Sequence, residues 1–470
     1  MKVIDTFSDI FSYSKILTTL SILIALTLSY ALMSGNAYLL TGIIALFLFI
    51  VLLKNNEIGF YIILISVFFA DWLWQLGLIP VQFTWLPEII IIFYLLKAII
   101  LKRIYIKTPL NKVIFAFFIV GIISAIINAK DIISVLLTFR LDFKFILMFY
   151  LLLLLKLPEK FYKNQMKLIL ILLLIQIPVA IIKYFIYGQG EMAIGTYGLY
   201  GGTYSTFIPM LGIAIILPMM LFNRIKIFWG ILALLGFIIF SIVGGKKGLL
   251  YFGPPVVLFI LLKALFIKPL RLKIIKFSPI FIIVLISFSL IIYFVPWLRP
   301  AIYEKGYIKD FIYIYDIKYT QYGDPAGRIP SIITTFNILK ADFAHFLFGY
   351  GPGSTIKSYF QQYDTRAAQS WPIWIEYGST EITQKLMEYG CLGLLFSFVL
   401  PIIIMLIHNE KKSSKLNNHF LHMLSLIYSS VLFVYFIFGI GYSYVFHFDM
   451  IGYLFWFGAA TCIKFCEHFD

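Results

Sequence analysis

The sequence predicts an all-α polytopic membrane protein: one membrane domain over residues 1–470, with about fourteen transmembrane helices and a large, partly helical outer loop at about 297–385. Three observations predict it. In composition, 61% of the residues are hydrophobic and 13% charged, with mean hydropathy +0.96, whereas soluble domains run at about 45–50% apolar and about 25% charged. That excludes a soluble globular enzyme. The apolar residues also fall into runs close to the ~20 residues that span a bilayer as a helix. Finally, Lys and Arg gather in alternate connections, the mark of short cytoplasmic loops.

The runs lie at about 16–34, 37–53, 58–77, 85–101, 113–127, 143–157, 168–186, 204–222, 227–243, 248–267, 278–296, 386–407, 420–441 and 450–464. The first is longer than a secretory signal core, and the alternation works best when it is kept as a span. One set of connections holds Lys54; Lys97, Lys102, Arg103, Lys107 and Lys112; Lys156, Lys160, Lys163 and Lys167; Arg224 and Lys226; Lys263, Lys268, Arg271, Lys273 and Lys276; and Lys411, Lys412 and Lys415. These cations face only Glu57, Glu159 and Glu410. The short loops of the other set carry Lys130, Arg140, Lys246 and Lys247. Both termini are therefore expected in the cytoplasm and the 297–385 loop outside. The net charge of +16 (38 − 22) thus reports orientation first, and nucleic acid is not an expected partner. Cys391, Cys462 and Cys466 sit in or beside apolar runs and suggest neither a disulfide framework nor a metal site.

Ionisable residues within spans are costly and face the protein interior or a watery cavity. Asp71 and Glu88 flank the second outer loop, Asp142 and Lys144 open the sixth span, Lys183 closes the seventh, and Lys385 and Glu388 begin the twelfth. All lie towards the outer face, whereas an ion-coupled carrier keeps such groups near the midplane. The distribution favours binding or chemistry at the outer leaflet; snorkelling of single side chains to the interface is the alternative.

Outer cations run against the topological bias. Arg140 lies in Leu136-Leu-Thr-Phe-Arg-Leu-Asp-Phe-Lys144, and Lys246-Lys247 sit between glycines in Val243-Gly-Gly-Lys-Lys-Gly248. An anionic ligand is one physical reason for them, because cations and helix-start N–H groups bind phosphate; lipid headgroups are the other. Glycines beside the lysines let the backbone come close to such a ligand.

In the large loop, Tyr303, Tyr307, Phe311, Tyr315 and Tyr319 recur every four residues, with Tyr322 near the same face. This stripe reads either as an interfacial helix of the aromatic belt or as a platform for sugar rings, with Tyr315, Tyr319 and Tyr322 as candidates. Pro330 and Ser331 suit a helix start, which places Arg328 at an N-terminus suited to phosphate. That helix should end before Phe348-Gly-Tyr-Gly-Pro-Gly-Ser354, a turn without the Gly-Lys-Ser/Thr of a P-loop. His345 reads as a packing residue. Glu381, Gln384, Lys385 and Glu388 are at helical spacing before the twelfth span. Glu381 is the candidate general base, and helix capping also accounts for an acid in a first turn.

Three features in this order resemble the O-antigen polymerase and ligase superfamily of bacterial polysaccharide assembly: a short outer loop with a basic residue (Gly244 to Gly248), a late large loop with Gly327-Arg328 and Gly349-Tyr-Gly-Pro-Gly353, and a polar helix start leading to Glu388-Tyr-Gly-Cys-Leu-Gly393. The resemblance spans roughly residues 190–410. It implies a GT-C-like glycosyltransferase architecture that needs no metal or other cofactor. The implied substrates are polyprenyl-pyrophosphate-linked glycans in the bacterial inner membrane, and the implied partners are membrane lipids, a chain-length regulator and a flippase. It implies that Lys246 or Lys247, together with Arg328, binds the pyrophosphate, with lysine where the family has arginine. Ligases open the last helix of this region with a histidine; Ser379-Thr380-Glu381 has none, so the resemblance implies a polymerase rather than a ligase.

Overall fold

The computed structural model describes residues 50–103, 105–128, 132–197, 202–245, 248–267, 270–271, 274, 328–355, 380–413, 419–443, 445–446 and 449–467. The described residues form fourteen α-helices and no strand. The chain divides into two units, Met1–Ile62 and Ile63–Asp470. In the first, Asn55 opens a helix: its Oδ1 accepts from the Glu57 N–H at 2.8 Å, an N-cap.

The helices are α1 (Asn56–Gln75), α2 (Leu86–Ile100), α3 (Asn111–Ile127), α4 (Ile132–Leu154), α5 (Glu159–Tyr187), α6 (Tyr204–Leu221), α7 (Ile227–Val243), α8 (Gly248–Leu265), α9 (Arg328–Leu339), α10 (Phe343–Phe348), α11 (Glu381–Leu394), α12 (Leu400–Ser413), α13 (His419–Gly441) and α14 (Asp449–Glu467). A 3-10 turn, Val81–Trp85, leads into α2, and a π turn, Leu395–Val399, joins α11 to α12.

Six stretches are long and apolar enough to cross a membrane: Asn56–Gln75, Val81–Ile100, Glu159–Tyr187, Tyr204–Leu221, Glu381–Lys411 and His419–Gly441. The protein is therefore a multi-pass membrane protein. The runs expected at 16–34 and 278–296 lie outside the described residues, as does most of that at 37–53.

In the second unit the apolar helices pack around α6. It is the most buried of the six, 83% inside the protein, with α5, α7, α8 and α13 on its sides. Without water between helices, close approach at small residues drives such packing. Gly212 of α6 leaves the space that the Phe237 ring of α7 fills, and Gly230 of α7 does the same for Met220 of α6. Alanine at Gly212 collides with that ring, so Gly212→Ala should cost about 1–3 kcal/mol through overpacking; a lower midpoint in a thermal unfolding scan of detergent-solubilised protein checks this.

Two expected elements differ. The segment read as one helix from Pro330 towards Phe348 is two, α9 and α10, because the chain turns at 340–342 and Asp342 caps α10 by accepting from the Ala344 N–H at 3.2 Å. That bond and the adjacent His345 ring hold the Asp342 carboxyl below its usual range. The twelfth span, expected to start at 386, is preceded by helical residues from Glu381 and is broken at Gly390, whose φ of 68° and ψ of −166° lie outside helix space.

Candidate functional site

Gly390 is broken for a reason that lies 41 residues upstream in sequence, at Gly349, which closes α10 with almost the same backbone, φ 70° and ψ −169°. The two breaks cross each other. A Cβ on Gly349 would lie 2.6 Å from the backbone of Glu388, Tyr389 and Gly390, and one on Gly390 would run into the Leu347 carbonyl and the Phe348 N. Backbone bonds stitch the crossing: the Tyr350 N–H donates to Met387 O at 2.7 Å and the Gly351 N–H to Glu388 O at 3.1 Å.

Helix α3 supports it from below. The Ser124 hydroxyl reaches both Phe348 O and Glu388 O, the latter at 3.0 Å, and Asn128 Nδ2 donates to Gly349 O at 3.0 Å. His345 bridges Asp342 and Asn128 through its two ring nitrogens and stacks on Tyr350 at 4.3 Å, so it packs, as its sequence position suggested. Ser124 is fully buried. Ser124→Ala should therefore leave the Phe348 carbonyl without its donor, Glu388 O keeping the Gly351 N–H, and cost about 1–3 kcal/mol, read as a lower unfolding midpoint with no loss of membrane insertion.

The crossing presents the polar face of α11. Thr380 caps the helix by accepting from the Thr383 N–H at 3.4 Å. Glu381 and Glu388 are 0% exposed and Lys385 2%. Lys385 Nζ lies 2.6 Å from Asp142 of α4 and 3.9 Å from Glu381 Oε1, and the Tyr389 hydroxyl also donates to Asp142. Glu388 Oε1 accepts from Thr355 Oγ1 at 2.7 Å, while its Oε2 has no hydrogen-bond partner among the described residues.

Helix α4 thus divides its charges. Asp142 faces α11, whereas Arg140 and Lys144, four residues apart on the same face, turn to Glu88 of α2 and Asp449 of α14. Arg140 Nε lies 2.5 Å from Glu88, and Lys144 Nζ lies 3.2 Å from Glu88 and 2.5 Å from Asp449. Two ion-pair clusters result, Glu88 with Arg140, Lys144 and Asp449, and Asp142 with Lys385 and Glu381, while Lys183 lies apart over Trp72.

Glu381 connects to a third region. Its Oε2 accepts from the N–H groups of Val445 at 2.7 Å and Phe446 at 3.2 Å, in the loop between α13 and α14. That loop carries Tyr442, and the Arg328 guanidinium at the start of α9 lies 5.7 Å from the Tyr442 ring centre. Glu381 is accordingly placed to position the loop.

Tyr442 also packs on Gly248, the first residue of α8: a Cβ there would lie 2.7 Å from the ring and run into Thr206 of α6. The neighbouring Gly244 has the same relation to Ser205. These glycines serve the approach of the 244–248 segment to α6. Thr203 and Ser443 hydroxyls, 3.2 Å apart, tie α6 to the Tyr442 loop. Thr206 Oγ1 is buried without a hydrogen-bond partner among the described residues.

No protein-family model matches the chain, and no curated protein matches it.

Arg328 and Gly248, the first residue of α8, thus each lie near the Tyr442 ring, and Glu381 binds the loop that carries it. Lys246, Lys247, Tyr315, Tyr319 and Tyr322 lie outside the described residues. Sequence reasoning missed Tyr442, Thr206 and Ser124. Tyr442 had a signal: it opens the short aromatic connection Tyr442-Ser-Tyr-Val-Phe-His-Phe448 between two spans. Thr206 and Ser124 had none, being ordinary hydroxyls inside apolar runs.

A backbone start, an arginine held over an aromatic ring and a buried hydroxyl suit an anion. The first N–H groups of a helix lack internal partners and carry partial positive charge, and a guanidinium offers a planar fork to phosphate oxygens.

Proposed function

We propose that the chain is a membrane glycosyltransferase of the O-antigen polymerase and ligase kind, acting as a polymerase: it joins polyprenyl-pyrophosphate-linked repeat units into a longer O-antigen, capsule or exopolysaccharide chain. The observation that carries the reading is the meeting of Arg328, Tyr442 and the start of α8, with Lys246 and Lys247 just ahead of it in sequence. In this reading the fold is GT-C-like with about fourteen spans. It sits in the bacterial inner membrane with both termini cytoplasmic and the large loop outside. A flippase supplies its substrates and a chain-length regulator attends it.

In the proposed reaction a sugar hydroxyl of one lipid-linked unit attacks the anomeric carbon of another. The new glycosidic bond forms as the bond to the pyrophosphate oxygen breaks, and the lipid pyrophosphate leaves with the electron pair. Negative charge grows on the leaving oxygens, where Arg328 and the lysine pair stabilise it. Glu381, with its carboxylate on two backbone N–H groups, orients the Tyr442 loop and through it Arg328. Glu381 binds this loop and Glu388 is part of the glycine crossing, and one of the two takes the hydroxyl proton. Arg140, also assigned to the pyrophosphate, pairs with Glu88 and is half exposed.

Incubating purified protein with a single lipid-linked repeat unit in detergent tests the reading. Longer lipid-linked products support polymerisation. Transfer only to an added core acceptor supports a ligase, and no new glycosidic bond supports a transporter of lipid-linked oligosaccharides.

A further inference from the structure

Between α5, α6, α12, α13 and α14 there is a cavity of about 120 Å³, lined along α13 from Leu421 to Tyr435. Its walls are mostly apolar, among them Leu211, Leu424 and Phe465. One buried polar atom there is unsatisfied: Gln165, 1% exposed, has its Nε2 3.5 Å from Thr461 Oγ1, and its Oε1 has no hydrogen-bond partner among the described residues. Beside the cavity-lining Leu421, Phe420 carries two cations, with Lys163 Nζ at 5.9 Å and the Arg224 guanidinium at 5.6 Å from its ring centre. Lys163 also pairs with Glu159 at 2.6 Å; both Lys163 and Arg224 are solvent-facing, as are the nearby Lys167 and Lys226.

We propose that this is a binding site for an anionic phospholipid, with part of an acyl chain reaching into the cavity and its phosphate held by Lys163 and Arg224 beside Phe420. Neither half suffices alone. An apolar slot between transmembrane helices takes any acyl chain, and a basic rim takes any phosphate, but the two side by side select a lipid that carries net negative charge. Each cation lies within cation–π distance of the Phe420 ring, which helps to hold it there. The two cations lie at the opposite end of α13 from Tyr442, about 30 Å along the helix, while the cavity runs along α13 as far as Tyr435; the site shares no residue with the proposed reaction site and does not depend on that reading.

The full-length protein in detergent is titrated with dioleoyl phosphatidylglycerol and with dioleoyl phosphatidylcholine, and bound lipid is counted by native mass spectrometry. Phosphatidylglycerol should bind more tightly. The double variant Lys163→Gln/Arg224→Gln should weaken it about 30-fold, the effect of two cations near an anionic headgroup, and leave phosphatidylcholine unchanged. Ser425→Phe fills the cavity and should abolish phosphatidylglycerol binding with the cations intact; should that variant not fold, the charge variant still decides. Equal affinity of the two lipids for the unaltered protein, or unchanged phosphatidylglycerol binding in the charge variant, overturns the proposal.

Discussion

Replacing Gly390 with alanine is expected to unfold the region around α11, at a cost above about 4 kcal/mol. Two penalties fall together. A backbone with φ 68° and ψ −166° is one that only glycine adopts at low cost. In addition, the new Cβ meets the Leu347 carbonyl and Phe348 N, backbone atoms held by α10 that cannot turn aside as a side chain can. Gly349→Ala should do the same from the other strand of the crossing, where its Cβ meets the backbone of residues 388–390 at 2.6 Å. Since each substitution breaks one contact, the double variant should cost little more than either single one. The measurements are the yield of monodisperse protein after detergent extraction and its unfolding midpoint. By contrast Gly253→Ala on α8, where the new Cβ finds only the Leu249 side chain at 3.2 Å, should be mild.

The second large effect concerns the reaction. Arg328→Ala should lower the rate of chain extension about 10²–10³-fold, as when one donor to a developing oxyanion is removed, while the unfolding midpoint stays close to that of the unaltered protein. Arg328→Lys should recover part of the loss, because charge returns but the planar fork does not. Tyr442→Leu should fall between them, since the ring holds the guanidinium without touching the substrate. A ladder of lipid-linked products resolved by size gives all three rates.

Much of the architecture was legible because bilayer spans are long and uniform. The runs at 204–222 and 227–243 match α6, Tyr204–Leu221, and α7, Ile227–Val243, to within a residue. The apolar run of the twelfth span begins at 386, and its polar helix start was legible from Glu381, Gln384, Lys385 and Glu388 at helical spacing; the break at Gly390 was not. The turn at Gly349 to Gly353 was legible from its glycines, and three of them have positive φ. That Gly349 needs Gly390 was not, because two local patterns 41 residues apart carry no sign that their backbones cross.

For the candidate site, the sequence identified charged residues near one face but could not sort them. Which side of α4 each charge takes depends on what packs there, and it separates Asp142 from Arg140 and Lys144. Glu381 was singled out as an acid at a helix start, and its two backbone N–H partners come from a loop 64 and 65 residues further on. Arg328 was expected just ahead of a helix that starts at Pro330 and is instead the first residue of that helix, and its aromatic partner Tyr442 comes from a connection between spans that hydropathy treats only as a gap.

In the proposed site Arg328, backed by the Tyr442 ring, and the start of α8 hold a lipid-linked pyrophosphate. The most direct test of this site is the affinity of the purified protein for polyprenyl pyrophosphate, measured in one detergent for the unaltered chain and for Arg328→Ala. Binding that weakens with added salt and falls at least about tenfold in the variant, the loss expected of a charge-assisted bond to phosphate, is the predicted result. Equal affinity in the two proteins contradicts it.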